Sequence, residues 1–308
     1  MKFSFILPAW KDRYLRESIA SILSQTYRDL ELVVVDDCSP DSIRQIVESF
    51  HDERLSYHRN EQNIGGGNLV AQWNHCLTFA RGEYVILATD DDIYCIDFLD
   101  SIRVLIEKYP ETLVFRTRIM SVNSNGEMLW PDRSYKEFLT QGEFLYTYLQ
   151  GIKGGIPQFV FNRKALISSG GFVGFPLAWG SDDATALKLS GHGVVNTQEM
   201  LVKFRWSDIN ISSNFSKSVK REKNLARAEL CLWLIEYIKT VEFEDSEIEK
   251  FYKKNIIGNF NIYIKNILIK EIRILSVVDM MRQIMVISSL NILNKKDLLS
   301  ILYRYFSR

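Results

Sequence analysis

Apolar residues along this chain come in short unbroken runs, and between the runs they recur at helical spacing. Phe3 to Leu7 is the first run, closed by Pro8. A buried strand fits it, since proline donates nothing to a ladder. Leu15, Ile19, Ile22 and Leu23 then share one helical face, with Asp12 placed to cap it. Leu30 to Val35 follows, and its uninterrupted valines suit a parallel strand covered on both faces. Ile43, Ile46, Val47 and Phe50 return to helical spacing before a third strand at Leu55 to His58. Asn63 to Asn68 is a glycine-rich loop entering a helix that carries Ala71, Cys76, Leu77 and Ala80 and stops at Gly82. Tyr84 to Ala88 is the fourth strand, and Phe98, Ile102, Leu105 and Ile106 mark the next helix. Strands and helices alternating at this pitch predict a doubly wound, mainly parallel α/β sheet.

The second half is less regular. Leu113 to Phe115 and Gln158 to Phe161 read as short strands, Asn125-Gly126 as a hairpin turn, and a helix runs from Lys164. Asp182 and Asp183 precede Ala184, Leu187 and Leu189, so both carboxylates fall in a helix's first turn, where its dipole favours negative charge. From about Val219 onward the pattern is helical, without internal repeats.

The polar positions gain meaning from where the strands end. In a doubly wound sheet, ligands sit outside the carboxyl ends of the strands. Pro8 to Lys11, Asp36-Asp37, the Asn63 to Asn68 loop and Asp90-Asp91-Asp92 all fall there. Three consecutive carboxylates at the mouth of an apolar strand raise each other's pKa unless a hard cation neutralises them. Taken singly, each cluster has a plainer reading: a hydrated turn for the triplet, a helix cap for either acidic pair. Their coincidence at one edge predicts a nucleotide site.

Composition narrows the class. The 308 residues are 46% apolar, enough for a sizeable core, and Lys plus Arg balance Asp plus Glu at 38 each, which gives no reason to expect a nucleic-acid partner. The balance is uneven along the chain. Residues 251–308 hold ten Lys/Arg against three acids, a net of +7. Cys38, Cys76, Cys95 and Cys231 are widely spaced with no C-x-x-C pair, so neither a zinc site nor a disulfide framework is indicated and a cytoplasmic location is expected. The start of the chain lacks a signal-peptide pattern, and no apolar stretch is long enough to span a membrane.

Together these segments resemble the family 2 glycosyltransferases of the GT-A fold. The resemblance rests on Phe5-Ile-Leu-Pro-Ala-Trp10, Ser21-Ile-Leu-Ser-Gln-Thr-Tyr27, Val34-Val-Asp-Asp-Cys-Ser39 and Asn63-Ile-Gly65. It continues through Asn74 with Ala80-Arg-Gly-Glu-Tyr84 and Thr89-Asp-Asp-Asp-Ile-Tyr94, is specific over residues 3–100, and is patchy to about 215. It implies a catalytic domain over residues 1–215, with a nucleotide-sugar half at 1–110 and an acceptor half at 111–215. A helical C-terminal region over 216–308 would follow.

Carried over residue by residue, the resemblance implies a metal-dependent, inverting sugar transfer from a nucleoside-diphosphate sugar. Pro8, Ala9 and Trp10 would face the base and ribose, and Asp37 would accept from the base ring, for which a uracil N3–H is suited. Asn63, Gly65, Asn74, Asp90 and Arg205 would complete the donor site. Asp91, with Asp92 beside it, would hold Mn²⁺ or Mg²⁺, since oxygen ligands suit hard cations. Asp183 would be the general base on the acceptor hydroxyl, with Asp182 and Trp179 on the acceptor side. The acceptor would be a glycan or a lipid-linked sugar of the kind used in bacterial surface polysaccharides.

This chain departs from the family pattern at four places. Thr89 replaces the first acid of the usual D-x-D, which leaves open which of Asp90, Asp91 and Asp92 binds metal. Trp10 replaces another aromatic, Trp73 an arginine, and Ser207 a histidine that ligates metal in relatives. Two other readings compete: a non-catalytic nucleotide-sugar scaffold, and a sugar nucleotidyltransferase, against which the absence of a basic glycine-rich loop after the first strand counts. For the basic tail, packing on the catalytic domain or a second subunit is preferred. Peripheral contact with the inner face of the cytoplasmic membrane is the alternative.

Overall fold

The computed structural model describes residues 1–151 and 153–271, with residues 276–278, 280, 281, 296 and 303 beyond them. The first half follows the predicted alternation: β1 (Phe3–Ala9), α1 (Leu15–Leu23), β2 (Leu30–Asp36), α2 (Ile43–Glu48), β3 (Leu55–Arg59), α3 (Leu69–Leu77), β4 (Tyr84–Leu87). Next come β5 (Ile93–Tyr94), α4 (Phe98–Lys108), β6 (Val114–Val122), β7 (Met128–Pro131), β8 (Phe138–Leu139) and α5 (Gln141–Leu149). The chain continues through β9 (Phe159–Asn162), α6 (Arg163–Ser168), α7 (Ser181–Leu189) and β10 (Val194–Arg205). Two long helices, α8 (Lys217–Thr240) and α9 (Glu247–Glu271), close the described chain.

One sheet runs in the order β3-β2-β1-β4-β9-β6-β10-β5. Strands β3, β2, β1 and β4 are parallel, β9 runs antiparallel between β4 and β6, and β10 is parallel to β6. The sheet is therefore mixed and mainly parallel, as expected. Alternation along each strand feeds two separate cores. Ile6, Val33, Val35 and Leu87 face α3, α5, α7, α8 and α9, whereas Phe5, Leu7, Val34 and Ile86 face α1, α2 and α4. Covering both faces explains why the runs are continuous rather than alternating.

The helical C-terminal region contributes to the first of these cores. Ala226, Leu230 and Leu234 of α8 and Ile256, Phe260 and Ile264 of α9 are buried in the same cluster as Val85 and Phe161. These helices pack on the catalytic sheet. Of the basic stretch Ile262 to Lys270, Tyr263 and Ile264 are buried and Ile262 is exposed. Most of the tail beyond residue 271, on which the membrane alternative rests, lies outside the described residues. Among the described residues no helix is long and apolar enough to cross a membrane.

Candidate active site

Loops at the carboxyl ends of β1, β2 and β4 enclose a cleft of about 980 Å³. Pro8, Ala9, Trp10, Lys11, Asp37, Asn63, Gly65 and Asp90 to Asp92 all line it, so one site gathers the four predicted strand-end segments. The opposite wall comes from Phe175 to Leu177, Phe204, Ile211 and two acids of α8, Glu222 and Glu229.

The acids at the ends of β2 divide their work. Asp36 is fully buried and accepts from Ser39 N–H (2.8 Å), the Tyr57 hydroxyl (2.6 Å) and Arg59. Asp37 faces the cleft. Its Oδ1 accepts from Asn60 Nδ2 (2.7 Å) and Ile64 N–H (2.8 Å), and its Oδ2 from Gly65 N–H (2.7 Å). Glycine is required at 65, because a Cβ there would stand 2.8 Å from Asp37 Oδ2. Asn63 fixes the same loop, donating to the Asp37 carbonyl (3.1 Å) and accepting from Gly66 N–H (2.5 Å).

A chain of forced orientations runs from Asp37 to Gln72. A carboxylate only accepts, so Asn60 must present its amide nitrogen, which also donates to Gln72 Oε1 at 2.8 Å. Gln72 Nε2 is then turned away from Asn60, and it is buried without a partner in a side chain that lines the cleft. Sequence reasoning missed Gln72 and placed Lys11 in the strand-end segment without giving it a role. Lys11 was legible as the residue following Trp10 at a strand end, whereas Gln72 gives no signal within an apolar helix face.

The triplet after β4 is also divided. Asp90 Oδ2 accepts from Trp10 N–H (3.2 Å) and Lys11 N–H (2.9 Å), which closes the β1 end onto the β4 end. Asp92 is buried, with Oδ2 accepting from the Thr89 hydroxyl (2.5 Å) and Oδ1 from Arg205 N–H (2.8 Å). Asp91 lies between them without such a backbone clamp. Burial first, and repulsion from Asp90 second, push its carboxyl up to about 6. A cation would relieve both.

Several residues sit elsewhere than expected. Arg205 does not line the cleft; it is 2% exposed, and its guanidinium donates to the Asp91 carbonyl (3.0 Å), the Ser124 carbonyl (2.8 Å) and Glu17 (2.6 Å). It clamps the acidic loop from behind instead of facing a diphosphate. Asn74 also lies outside the cleft lining, and its amide holds the chain at Phe172, accepting from the N–H at 2.9 Å. Trp179, expected on the acceptor wall, carries Lys223 Nζ 4.4 Å from its ring centroid and so receives α8. Both Asp92 oxygens are engaged by the protein, which leaves Asp91 better placed for a metal. Ser207 is buried and donates to Asn210 Oδ1 at 2.7 Å.

The second acidic pair opens α7 as predicted, yet neither carboxylate lines the cleft. Asp183 is 4% exposed, and its Oδ1 accepts from Gly154 N–H at 2.9 Å. Asp182 Oδ1 accepts from Asp183 N–H at 2.9 Å. Burial and repulsion from Asp183 push Asp182 up to about 8, whereas Lys153, Gly154 N–H and Arg116 oppose the burial of Asp183 and hold it at about 6. The segment joining cleft wall to α7 holds two successive non-glycine residues in left-handed conformation, Leu177 (φ 53°) and Ala178 (φ 54°). Strain of this kind persists where the surroundings over-determine it, often at functional sites.

A mixed sheet with acidic loops at the carboxyl ends of its parallel strands defines a GT-A protein, and the solved structures agree on the fold. Staphylococcus aureus TarS 1-349 in complex with UDP-GlcNAc superposes with a TM-score of 0.58 at 21% identity, over 87% of this chain and 83% of that one. The mannosyltransferase PcManGT from Pyrobaculum calidifontis, in complex with GDP-Man and Mn²⁺, gives 0.55 at 16% identity, over 100% of this chain and 88% of that one. The family description "Glycosyl transferase family 2" matches residues 4–171, and the chain belongs to that family.

Among curated relatives, TuaG of Bacillus subtilis (strain 168), whose name assigns it to teichuronic acid biosynthesis, is 29% identical over 71% of this chain and 84% of its own length. The Escherichia coli UDP-Glc:alpha-D-GlcNAc-diphosphoundecaprenol beta-1,3-glucosyltransferase WfgD is 27% identical over 71% of this chain and 83% of its own. Of full-length TarS the matched stretch is only 26%.

Proposed function

We propose that this glycosyltransferase moves a sugar, with inversion, from a nucleoside-diphosphate sugar to a hydroxyl of a glycan or lipid-linked acceptor in bacterial surface-polysaccharide assembly. The observation that carries the donor half is the pairing, in one cleft, of Asp37 with Asp91, a carboxylate that no backbone N–H holds. Asp37 retains lone-pair capacity for a base N–H, and Gln72, which lines the same cleft, carries an Nε2 that is buried without a partner. A uracil imide matches that combination, and the UDP-sugar in the TarS complex and in WfgD's name supports it.

Among the described residues no group of three or more His, Cys, Asp or Glu forms a metal cage. The oxygen set nevertheless fits Mn²⁺ or Mg²⁺, which take one or two carboxylates and complete their shell with substrate phosphates. Asp91 would hold the ion, and the ion would neutralise charge on the departing diphosphate. PcManGT, whose complex contains Mn²⁺, supports this reading. Asp90 keeps the β1 and β4 ends together, and Arg205 and Asp92 hold the Asp91 backbone in place.

Asp183 serves as general base. Of the acidic pair it is the member that Lys153 and Arg116 keep ionised near neutral pH, while Asp182 retains its proton, and a pair split in this way assigns base and acid. As general base it would have to come within about 3 Å of an acceptor hydroxyl, and because Asp183 does not line the cleft, that approach needs a rearrangement when the acceptor binds.

The scaffold reading keeps one observation in its favour, the buried Ser207 where relatives ligate metal with histidine. Thermal unfolding of wild type and Asp91→Ala with UDP, GDP, CDP and TDP, with and without Mn²⁺, decides the donor half. A ligand at a hundredfold excess over its Kd stabilises by about 2.7 kcal/mol. We expect UDP to stabilise wild type only with Mn²⁺ and Asp91→Ala not at all. Metal-independent stabilisation equal in both proteins would remove Asp91 from the reading, and no stabilisation by any nucleotide would remove the donor site.

A further inference from the structure

The loop between α5 and β9 brings a backbone donor, the Gly154 N–H, onto Asp183, and the adjoining Lys153 ties the loop to the C-terminal helix α9. Gly154 is pinned there, since a Cβ would stand 2.7 Å from the Phe159 ring and collide with Gln158 Nε2, and its N–H meets Asp183. Its neighbour Lys153 is exposed, yet its ammonium group stands 3.2 Å from the Tyr263 hydroxyl of α9. That hydroxyl lies 3.0 Å from the Tyr148 hydroxyl of α5, and both tyrosines are buried. Lys153 Nζ also lies over both rings, 5.2 Å from the Tyr263 centroid and 5.8 Å from that of Tyr148. An exposed lysine ordinarily keeps its rotamer freedom. Three contacts from two helices remove that freedom here.

We infer that Lys153 and Tyr263 are positioning residues for Asp183: α9, through the Tyr263 hydroxyl, holds the loop that presents a fixed cation and the Gly154 N–H to this carboxylate. The inference rests on the reading of Asp183 as general base, and it makes the C-terminal helix a working part of the site. The charged and titratable groups around the pair are few. Asp182 lies on α7, Arg116 on β6, Tyr148 on α5 and Tyr263 on α9, while Arg227 and Cys231 of α8 face Lys153. Arg116 cannot replace Lys153, because Asn196 (2.8 Å) and the Tyr135 ring (3.8 Å to its centroid) hold it in place. Among the groups that keep Asp183 ionised against burial, Lys153 ranks first and the Gly154 N–H second.

The test is a carboxyl-carbon NMR titration of full-length protein carrying ¹³C-aspartate, the Asp183 signal being the one lost in Asp183→Asn. Lys153→Met, at an exposed position, leaves the core intact. It should raise the Asp183 midpoint by about one pH unit, a tenfold change in proton affinity. Tyr263→Phe should raise it by less, and Lys153→Arg should restore it. Midpoints that coincide in all four proteins overturn the inference. UDP release from UDP-glucose and UDP-N-acetylglucosamine by Asp183→Asn separates the two failures. Wild-type release sinks the base reading and this inference with it; abolished release with coincident midpoints sinks the link to α9 alone.

Discussion

The acidic triplet after β4 and the acidic pair opening α7 are built from the same residue type and have opposite surroundings. Asp90 to Asp92 line an open cleft, and their satisfied members are held by backbone N–H groups and a hydroxyl. Asp182 and Asp183 lie outside that lining, with Lys153 and Arg116 facing them. Each cluster suffers from burial and like charge, and what relieves it differs. The triplet leaves Asp91 without an answering donor, the place where the proposed metal would act, whereas the pair has Lys153 and Arg116 to oppose its burial. Carboxylates therefore specify chemistry through the groups that answer them, a point invisible in a run of Asp.

The contrast breaks most sharply at Asp183. Asp183→Asn keeps the Gly154 contact nearly isosteric and removes the proposed base, so we expect turnover to fall about 10²–10⁴-fold. Nucleotide-induced stabilisation should stay at the wild-type value. Equal loss of nucleotide binding would mean that the pair belongs to the donor site after all.

Behind the triplet, Arg205 comes next in expected size. Arg205→Met leaves the Asp91 and Ser124 carbonyls without their buried donor, at about 1–3 kcal/mol each. A midpoint lower by roughly 10 °C is expected in thermal unfolding. A variant that unfolds like wild type but no longer binds UDP would restore the diphosphate-facing role that its burial argues against.

Gly65→Ala should act on the cleft alone. Its Cβ would press on Asp37 Oδ2, one oxygen of a carboxylate that three donors hold in place, so the loop must shift at a cost of about 1–3 kcal/mol. Weaker nucleotide stabilisation with an unchanged Asp183 titration is the expected pattern, read from melting curves and NMR. A shifted Asp183 signal would show that the two acidic regions are coupled.

The sheet was legible because its strands are covered on both faces and so read as continuous apolar runs; β2 and β4 match within a residue, whereas β1 was expected to close at Pro8 and instead runs through it to Ala9, in register with Val35 and Asp36 of β2. β6 was legible only to Phe115, because Arg116, Thr117 and Arg118 interrupt the run although Arg116 is fully buried against aromatic rings. Asp12 was expected to cap α1, but the helix begins at Leu15, whose N–H finds the Asp12 carbonyl at 3.2 Å instead of its carboxylate. At the site, strand-end residues were legible because topology alone brings them together. Arg205, Asn74 and Trp179 were not, since their partners are carbonyls, a backbone amide and helix cations from distant segments. A single sequence shows which groups can bond, and only packing shows which of them already have.

The smallest expected effect tests the pair's shared proton. Asp182 has its folded pKa raised to about 8 against an ordinary 3.8, so the native state binds more protons than the unfolded chain between those values. Stability must then fall as pH rises through that window, with the penalty complete above about pH 8 and absent below about pH 4. Asn imitates the protonated acid and does not titrate. Asp182→Asn should therefore match wild type in acid and exceed it at pH 8. Partial solvation of Asp182 keeps the gain near 1 kcal/mol, roughly 2 °C in a melting midpoint for a chain of this size. Melting curves from pH 4 to 8 that stay parallel for the two proteins would mean Asp182 is ionised throughout, and the pair would then hold two negative charges beside Lys153 with no proton to share.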